Sequence, residues 1–313
     1  VKLEDIGFYT LSDERALNSS VSSPLYRCEL IVTKRCNFKC PYCRGLINGE
    51  DLSLWDAKKT INYWLFHNLK NIRFSGGEPT LYNHLPELVA LAKKGGVQNI
   101  AISTNGSQDF STYFNLIRYG VNDFSISLDA CCSSTGNTMS GKSDIWHKVI
   151  DNIKALSELV YVTVGVVLTE DNQNETLKII ELADSLGVSD IRVIPSAQHD
   201  SAIKIDISER ILQSHPILKY RIESSRHVRG LCVRDSKKCK LVLDDMAVWN
   251  GEHYPCIIYL REQGKPIGKL NKNTRQDRFD WYKKHNSWND KICNDNCLDV
   301  CIAFNNTAAK HFL

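Results

Sequence analysis

Thr33-Lys34-Arg35-Cys36-Asn37-Phe38-Lys39-Cys40-Pro41-Tyr42-Cys43 decides how the rest of the chain is read. It sets three cysteines at x3 and x2 spacing directly after a strand-like run over 29–33. Three thiolates on one loop can hold three irons of a cubane cluster and leave the fourth iron open, and an open metal position is a reactive one. A zinc knuckle, or three unrelated buried cysteines, is the blander reading of the same residues. Zinc wants a fourth local ligand, and His67 and His84 lie far along the chain.

Outward from this loop, strands and helices alternate. Strand-like runs rich in Val, Ile, Phe and Tyr fall at 29–33, 71–75, 98–103, 123–128, 161–168 and 190–195. Between them Ser53 begins a helix, with Asp56 three residues on in a capping-box arrangement, and Leu54, Ala57, Ile61 and Trp64 share one face. A second helix runs from about Glu175 with Leu177, Ile180, Ala183 and Leu186, and stops at Gly187. Six such units predict an α/β fold, a parallel sheet with right-handed crossovers. Six rather than eight predict an open partial (β/α)6 barrel over 28–198, with its active site at the C-terminal strand ends. Residues 1–27 then form an N-terminal arm and the polar 199–231 a linker. Five of the 12 cysteines follow Lys238, so 232–313 reads as a small domain held by something other than its core. No internal repeat or low-complexity tract is visible.

Composition narrows the class. At roughly 150 residues per domain, 313 residues suggest a large domain plus a smaller one, with no need of disulfides for stability. Hydrophobic residues at 42% and charged residues at 24% exclude wholesale disorder, collagen and coiled coil. No apolar run approaches the ~20 residues of a membrane span and no secretory signal opens the chain, so no membrane partner is expected. The chain starts at Val1 rather than Met, which leaves two expectations open, that its first residues are trimmed or that they are foreign to the natural protein. A net charge of +3 is too mild to argue for nucleic acid. A cytoplasmic location follows as the expectation, and there clustered cysteines are metal ligands or redox groups.

At this point the sequence resembles the radical S-adenosylmethionine superfamily, whose signature is Cys-x3-Cys-x-aromatic-Cys after the first barrel strand, with Tyr42 as the aromatic. Ser75-Gly76-Gly77-Glu78-Pro79-Thr80 at the end of the second strand looks like the family's glycine–glycine–glutamate–proline motif. Two glycines let backbone approach a ligand closely, and the resemblance implies that the neighbouring carboxylate pairs with the methionyl ammonium. Ser103-Thr104-Asn105-Gly106 resembles the stretch that hydrogen-bonds the ribose hydroxyls. Ser125-Ile126-Ser127-Leu128-Asp129 matches a further polar ligand-facing segment. Val166, Val167 and Ile194-Pro195 fall where the family sandwiches adenine. Singly these motifs are weak, since a double glycine is commonly a tight turn and Ser127 or Asp129 could cap a helix. Their conjunction, in order and all at C-terminal strand ends, is specific. The resemblance implies a 4Fe–4S cluster on Cys36, Cys40 and Cys43 that binds S-adenosylmethionine. One electron, from a reductant such as flavodoxin or ferredoxin, cleaves the sulfonium, and the resulting 5′-deoxyadenosyl radical abstracts a substrate hydrogen. The protein positions the partners and excludes water.

The second cysteine group is similar to the opening of the family's C-terminal SPASM and twitch extensions, which carry auxiliary 4Fe–4S clusters. Cys239 is followed by eleven residues, Gly251, four more and Cys256, and a β-hairpin between them would bring both thiols together. Further ligands are expected from Cys293, Cys297 and Cys301. On one straight helix that spacing spreads over about an 80° arc, so an adjacent pair would grip a cluster better than all three. The two-cluster pattern of the family needs x2 and x5 spacings that are absent, and six cysteines remain after Pro195, which fits one auxiliary cluster and the smaller twitch arrangement. Cys232 is an alternative ligand, and a zinc site or free thiols the blander reading.

The remaining candidates carry expectations of their own. Cys28, at the opposite end of the first strand, reads as a core residue. Cys131 and Cys132 follow the fourth strand and are candidate hydrogen-atom donors to a substrate radical. Arg221, Arg226, Arg229, Arg234, Lys237, Lys238 and Lys240 form a basic stretch, either a solvated face or a recognition surface for an anionic substrate. The leading function is radical modification of a ribosomally made peptide, by epimerisation or cross-linking. Radical oxidation or dehydration of a small polyol, sugar or nucleoside-type metabolite is the alternative. A bare iron–sulfur electron carrier would leave the nucleotide motifs idle. The molybdopterin-type cyclase has a similar architecture but ends in a glycine pair, whereas this chain ends His311-Phe312-Leu313, which counts against it.

Overall fold

The β-branched and aromatic runs form six parallel strands: β1 (Arg27–Thr33), β2 (Asn71–Gly76), β3 (Asn99–Thr104), β4 (Asp123–Ser127), β5 (Tyr161–Leu168) and β6 (Asp190–Pro195). Three more, β7 (Asp245–Trp249), β8 (Glu252–Tyr254) and β9 (Gly268–Lys269), complete one sheet in the order β6-β5-β4-β3-β2-β1-β7-β8-β9. The computed structural model describes residues 2–44, 49–197, 205–224 and 227–310. The expected boundary at 198/199, Arg226 and His311-Phe312-Leu313 lie outside them.

The barrel is open because β6 does not return to β1; the free edge of β1 is taken by β7. Leu30, Ile31 and Val32 are all fully buried, as they must be in a parallel strand covered on both faces. The barrel helices are α2 (Leu54–Phe66), α3 (Leu85–Lys94), α4 (Phe110–Tyr119), α5 (Ser133–Ser140), α6 (Trp146–Ser157) and α7 (Thr176–Ser185), after a short α1 (Asp13–Asn18). Ser53 Oγ accepts from Asp56 N at the start of α2, and Ala57, Ile61 and Trp64 are its fully buried face. Beyond the barrel come α8 (Glu209–Ser214), α9 (Pro216–Glu223), α10 (Ile257–Arg261), α11 (Thr274–Lys284), α12 (Lys291–Asn296) and α13 (Asp299–Lys310).

The sheet corrects the expected partition. The stretch read as a linker holds α8 and α9, and the Asp190 carboxylate of β6 accepts from Ile217 N and Leu218 N at the start of α9. What reads as a separate C-terminal domain contributes β7 to the barrel sheet, parallel to β1 from Arg27↔Asp245 to Leu30↔Val248. Met246, Ala247 and Val248 join the barrel core. The polar run that looks like a linker is the outer face of packed helices, and a continuous sheet leaves no composition signal at the point where it is crossed. The arm is also tied down: buried Arg15 donates to Asp244 at 2.9 Å and to Asp245 at 2.5 Å, and its helix packs with α13. The expected hairpin is present as β7 and β8, joined through Asn250 and Gly251, whose φ of +49° and +74° suit a primed turn.

Candidate active site

A cavity of about 290 Å³ opens at the C-terminal ends of the barrel strands. Cys36, Cys40 and Cys43 form part of its wall, Cys43 the exposed member. Among the described residues no further cysteine and no histidine lines it, so three soft donors share a loop without a fourth protein ligand. Burial raises the Cys36 thiol, and burial, with Asp129 and the neighbouring sulfurs, pushes Cys40 up to about 12. Thiols held together in this way release their protons when a metal centre supplies the missing positive charge. The donor set therefore fits a three-point iron–sulfur cluster with an open iron.

Gly76 and Gly77 explain how the loop is seated. Gly77 N donates to Thr33 O at 2.9 Å and Glu78 N to Arg35 O at 2.8 Å. A Cβ on Gly77 would stand 2.2 Å from Arg35 O, and Gly76 adopts φ +154° with Thr33 O equally near its missing Cβ. The two glycines thus let the cysteine loop lie on the end of β2 while both still face the cavity.

Glu78 does not do what its motif implies. Its side chain is fully buried and is not part of the cavity wall. Its carboxylate accepts from Thr80 N, Thr80 Oγ1, Thr104 Oγ1 and Asn105 N at 2.5–3.1 Å. With its lone pairs committed, it braces the end of β2 to the end of β3. Pro79 is likewise buried, opening a 3-10 turn. Ser103, Thr104 and Asn105 do line the cavity, and the Asn105 amide donates to Asn37 Oδ1 at 2.8 Å, linking this strand end to the cysteine loop.

On the far wall stand Ser127, Asp129, Val166, Val167 and Ile194, while Pro195 falls outside. Tyr42 Oη donates to Asp129 Oδ2, and Val167 N donates to Asp129 Oδ1 at 2.7 Å. Burial raises the Asp129 carboxyl to about 6. Tyr42 therefore latches the cysteine loop to the β4–β5 side of the barrel.

Cys131 and Cys132 are corrected as site residues, because neither borders the cavity. Cys131 Sγ lies 3.3 Å from Glu175 Oε2, and Cys132 is the residue before α5, its Sγ 3.1 Å from Ser134 Oγ. Ala130 faces the cavity, Cys131 and Cys132 do not, and α5 returns to the wall through Gly136, Met139 and Ser140. Four arginines appear instead: Arg44, Arg192, Arg229 and Arg261 all line the cavity. Only Arg229 is among the basic residues singled out from sequence. Arg192 was findable, because it stands two residues before Ile194 on a strand and so shares its face.

A second, smaller cavity, of about 40 Å³, is lined by Cys239, Cys256, Cys293, Cys297 and Cys301. The expectation of one straight helix is corrected: α12 ends at Asn296, Cys297 adopts ψ 135°, and α13 starts at Asp299. The break lets all three C-terminal thiols face the same space. Cys232 is exposed and does not line it, and Cys28 is buried in the barrel core. Burial, reinforced by the Cys256 sulfur, pushes Cys239 up to about 12. All 12 thiols are free, and five soft donors around one enclosed space suit a 4Fe–4S cluster and equally a tetrahedral zinc.

The first cavity thus lies at the strand ends of an open parallel barrel, beside a loop that carries three thiols. Residues 30–183 match the model of the Radical SAM superfamily, so the barrel is a Radical SAM domain. A protein of Saccharolobus islandicus named "Probable GTP 3′,8-cyclase" is 30% identical over 181 residues, covering 55% of this chain and 57% of that protein. A Metallosphaera sedula protein of the same name is 27% identical over 179 residues, 55% of this chain and 56% of its own. The chain thus spans little more than half of the curated relatives it matches. Among solved structures, native anSMEcpe with bound AdoMet aligns at TM-score 0.61 and 16% identity over 91% of this chain and 96% of its own. Streptococcus suis SuiB aligns at 0.59 and 17%, over 84% and 66%. At these identities the likeness is one of fold. No helix among the described residues is long and apolar enough to cross a membrane.

Proposed function

We propose that this chain cleaves S-adenosylmethionine at Cys36, Cys40 and Cys43 and abstracts a hydrogen atom from a substrate held at the barrel mouth. The observation that carries this reading is the convergence of the three thiols with Ser103, Asn105, Ser127 and Val167 on one cavity. A cluster bound there supplies the electron that breaks the sulfonium bond. The chain's own residues do the positioning. Tyr42 and Asp129 clamp the loop to the far wall, Glu78 fixes the end of β3, and the glycine pair seats the loop on β2.

Cys131 and Cys132 turn away from the cavity, and among the described residues no thiol other than the three ligands faces it. A reaction that returns hydrogen to carbon, as α-carbon inversion does, lacks a thiol donor there. This favours an oxidative outcome, for which an iron–sulfur cluster held by the C-terminal thiols would supply an electron acceptor and a zinc ion would not. Helix α10 supports that route: Cys256 caps its start and Arg261 at its end lines the first cavity, five residues or about 7.5 Å of rise apart. The expected peptide substrate keeps its support from SuiB, which is solved with the precursor peptide SuiA. The relatives named for GTP support the metabolite reading. The test is anaerobic reconstitution with a strong reductant and S-adenosylmethionine. Release of 5′-deoxyadenosine by wild type and not by Cys36→Ala is expected; equal release by both would refute it.

A further inference from the structure

We infer that Arg192, Arg229 and Arg261 form a subsite for a phosphate group of the substrate, built into the wall of the barrel cavity. The inference rests on the proposed radical reaction at that cavity and names the class of molecule it acts on.

Charge pairing is the first argument. Arg44 pairs with Glu262, and Arg261 stands 3.6 Å from Glu29. Arg192 and Arg229 have no carboxylate within ion-pair distance among the described residues. Asp123, the acid that most offsets Arg192, is itself 3.5 Å from Arg73. Asp129, the acid in the cavity wall, is occupied by Tyr42 and Val167 N. Two positive charges are therefore left on the wall, matching a phosphate dianion better than a single carboxylate.

Unused donors are the second argument. Arg229 Nε donates to Pro195 O at 2.9 Å, which fixes the guanidinium plane, but its Nη1 is buried without an acceptor. Arg192 donates from Nη2 to Ser125 Oγ at 3.2 Å, and its Nε is likewise buried and unsatisfied. A buried charged donor without a partner is destabilising, and an oxyanion reached by both groups would remove that cost. Burial, with the neighbouring guanidiniums, lowers both arginines to about 10, the direction expected where positive charge is crowded and uncompensated.

The mounting of these arginines is the third argument. Arg229 bridges to Leu298, and Gly230 N donates to Cys297 O at 3.0 Å, so Arg229 is held against the segment carrying Cys297. Arg261 ends the helix that Cys256 begins. Two guanidiniums are thus preorganised by the same scaffold that gathers the C-terminal thiols, and the third comes from β6 of the barrel. A group bound between them spans the two halves of the molecule.

The test uses the full chain, anaerobically reconstituted and saturated with S-adenosylmethionine so that the open cluster position is taken, with sodium pyrophosphate as the probe in calorimetry. Saturable binding is expected, weakened about tenfold in Arg229→Gln and in Arg192→Gln. Arg229→Lys keeps charge but loses the fork, and its affinity should fall between those of wild type and Arg229→Gln. Iron content and melting temperature report the fold of each variant; if a glutamine variant does not fold, the lysine variant of the same position carries the comparison. No saturable binding by wild type, or equal affinity in wild type and the folded variants, would overturn the subsite. Citrate binding as tightly as pyrophosphate would overturn the phosphate class. Wild type that releases 5′-deoxyadenosine yet ignores pyrophosphate would sink this inference alone; wild type that releases none would sink the reaction on which it rests.

Discussion

The two cysteine sites are built on opposite plans. Cys36, Cys40 and Cys43 sit on one loop at the rim of an open cavity, held in register by Gly77, Asn105 and Tyr42. The C-terminal site draws five thiols from three separate segments into a small enclosed space. Three donors on a loop leave a coordination position for a ligand and room to bring one in. Five donors around a closed space leave neither. The difference fits the proposed reading, in which the first site exchanges small molecules and the second holds one centre and the fold around it.

That contrast can be broken most sharply at the first site. Cys36→Ala should drop 5′-deoxyadenosine release to background, whereas Cys256→Ala should lower it less, as measured by anaerobic single-turnover chromatography. If both variants fall equally, the sites are not separable. Iron analysis comes next. At roughly four irons per cluster, wild type should carry about eight, and the Cys36, Cys40 and Cys43 triple alanine variant about four. A C-terminal half that holds only zinc, or wild type with twelve irons, would contradict it.

Acid should separate the regions by sign. Fully buried His253 accepts from Arg278, and burial with that guanidinium lowers it to about 3. Between pH 6.5 and 3 the unfolded chain binds a proton that the folded chain refuses, so stability falls as pH falls, by at most about 5 kcal/mol. Asp129 runs the other way. Its folded value of about 6 lies above its unfolded one, so it costs up to about 3 kcal/mol above pH 6, and that cost fades as pH falls to 4. Melting curves from pH 8 to 4 should show a flatter acid limb in His253→Gln, and a gain at neutral pH in Asp129→Asn. The absence of either change would remove that residue from the account. The smallest effect is expected from Gly77→Ala, whose Cβ meets Arg35 O at 2.2 Å. It should cost about 1–3 kcal/mol and reduce iron at the first site without touching the second.

Much of the barrel was legible because its signals are local. β5 and β6 run over 161–168 and 190–195 as the β-branched runs suggest, and the other four strands lie within about two residues of the expected positions. The three-thiol loop was legible for the same reason. Glu78 was misread because a motif reports which residue is needed, not which way its carboxylate turns; here it turns to Thr80, Thr104 and Asn105. Cys131 and Cys132 were misread because position after a strand end does not fix side-chain direction once the chain bends into α5. The break at Cys297 and the pairing of β7 with β1 depend on contacts remote in sequence, and no local period encodes them. Arg261 carried no local signal at all, since it faces the cavity only by the direction of α10.

The seating of β7 beside β1 has a consequence for how the molecule is made. β1 finds β2 some forty residues later, but its other edge waits for residues 245–248, more than two hundred positions downstream. During synthesis the strand that leads into the three-thiol loop is therefore half paired, with an apolar edge of Leu30 and Ile31 open to any extended segment nearby. Late pairing over so long a loop is slow. A chain stopped before Asp245 would present that edge permanently, so the last quarter of the sequence acts as the stopper that closes the first strand against self-association.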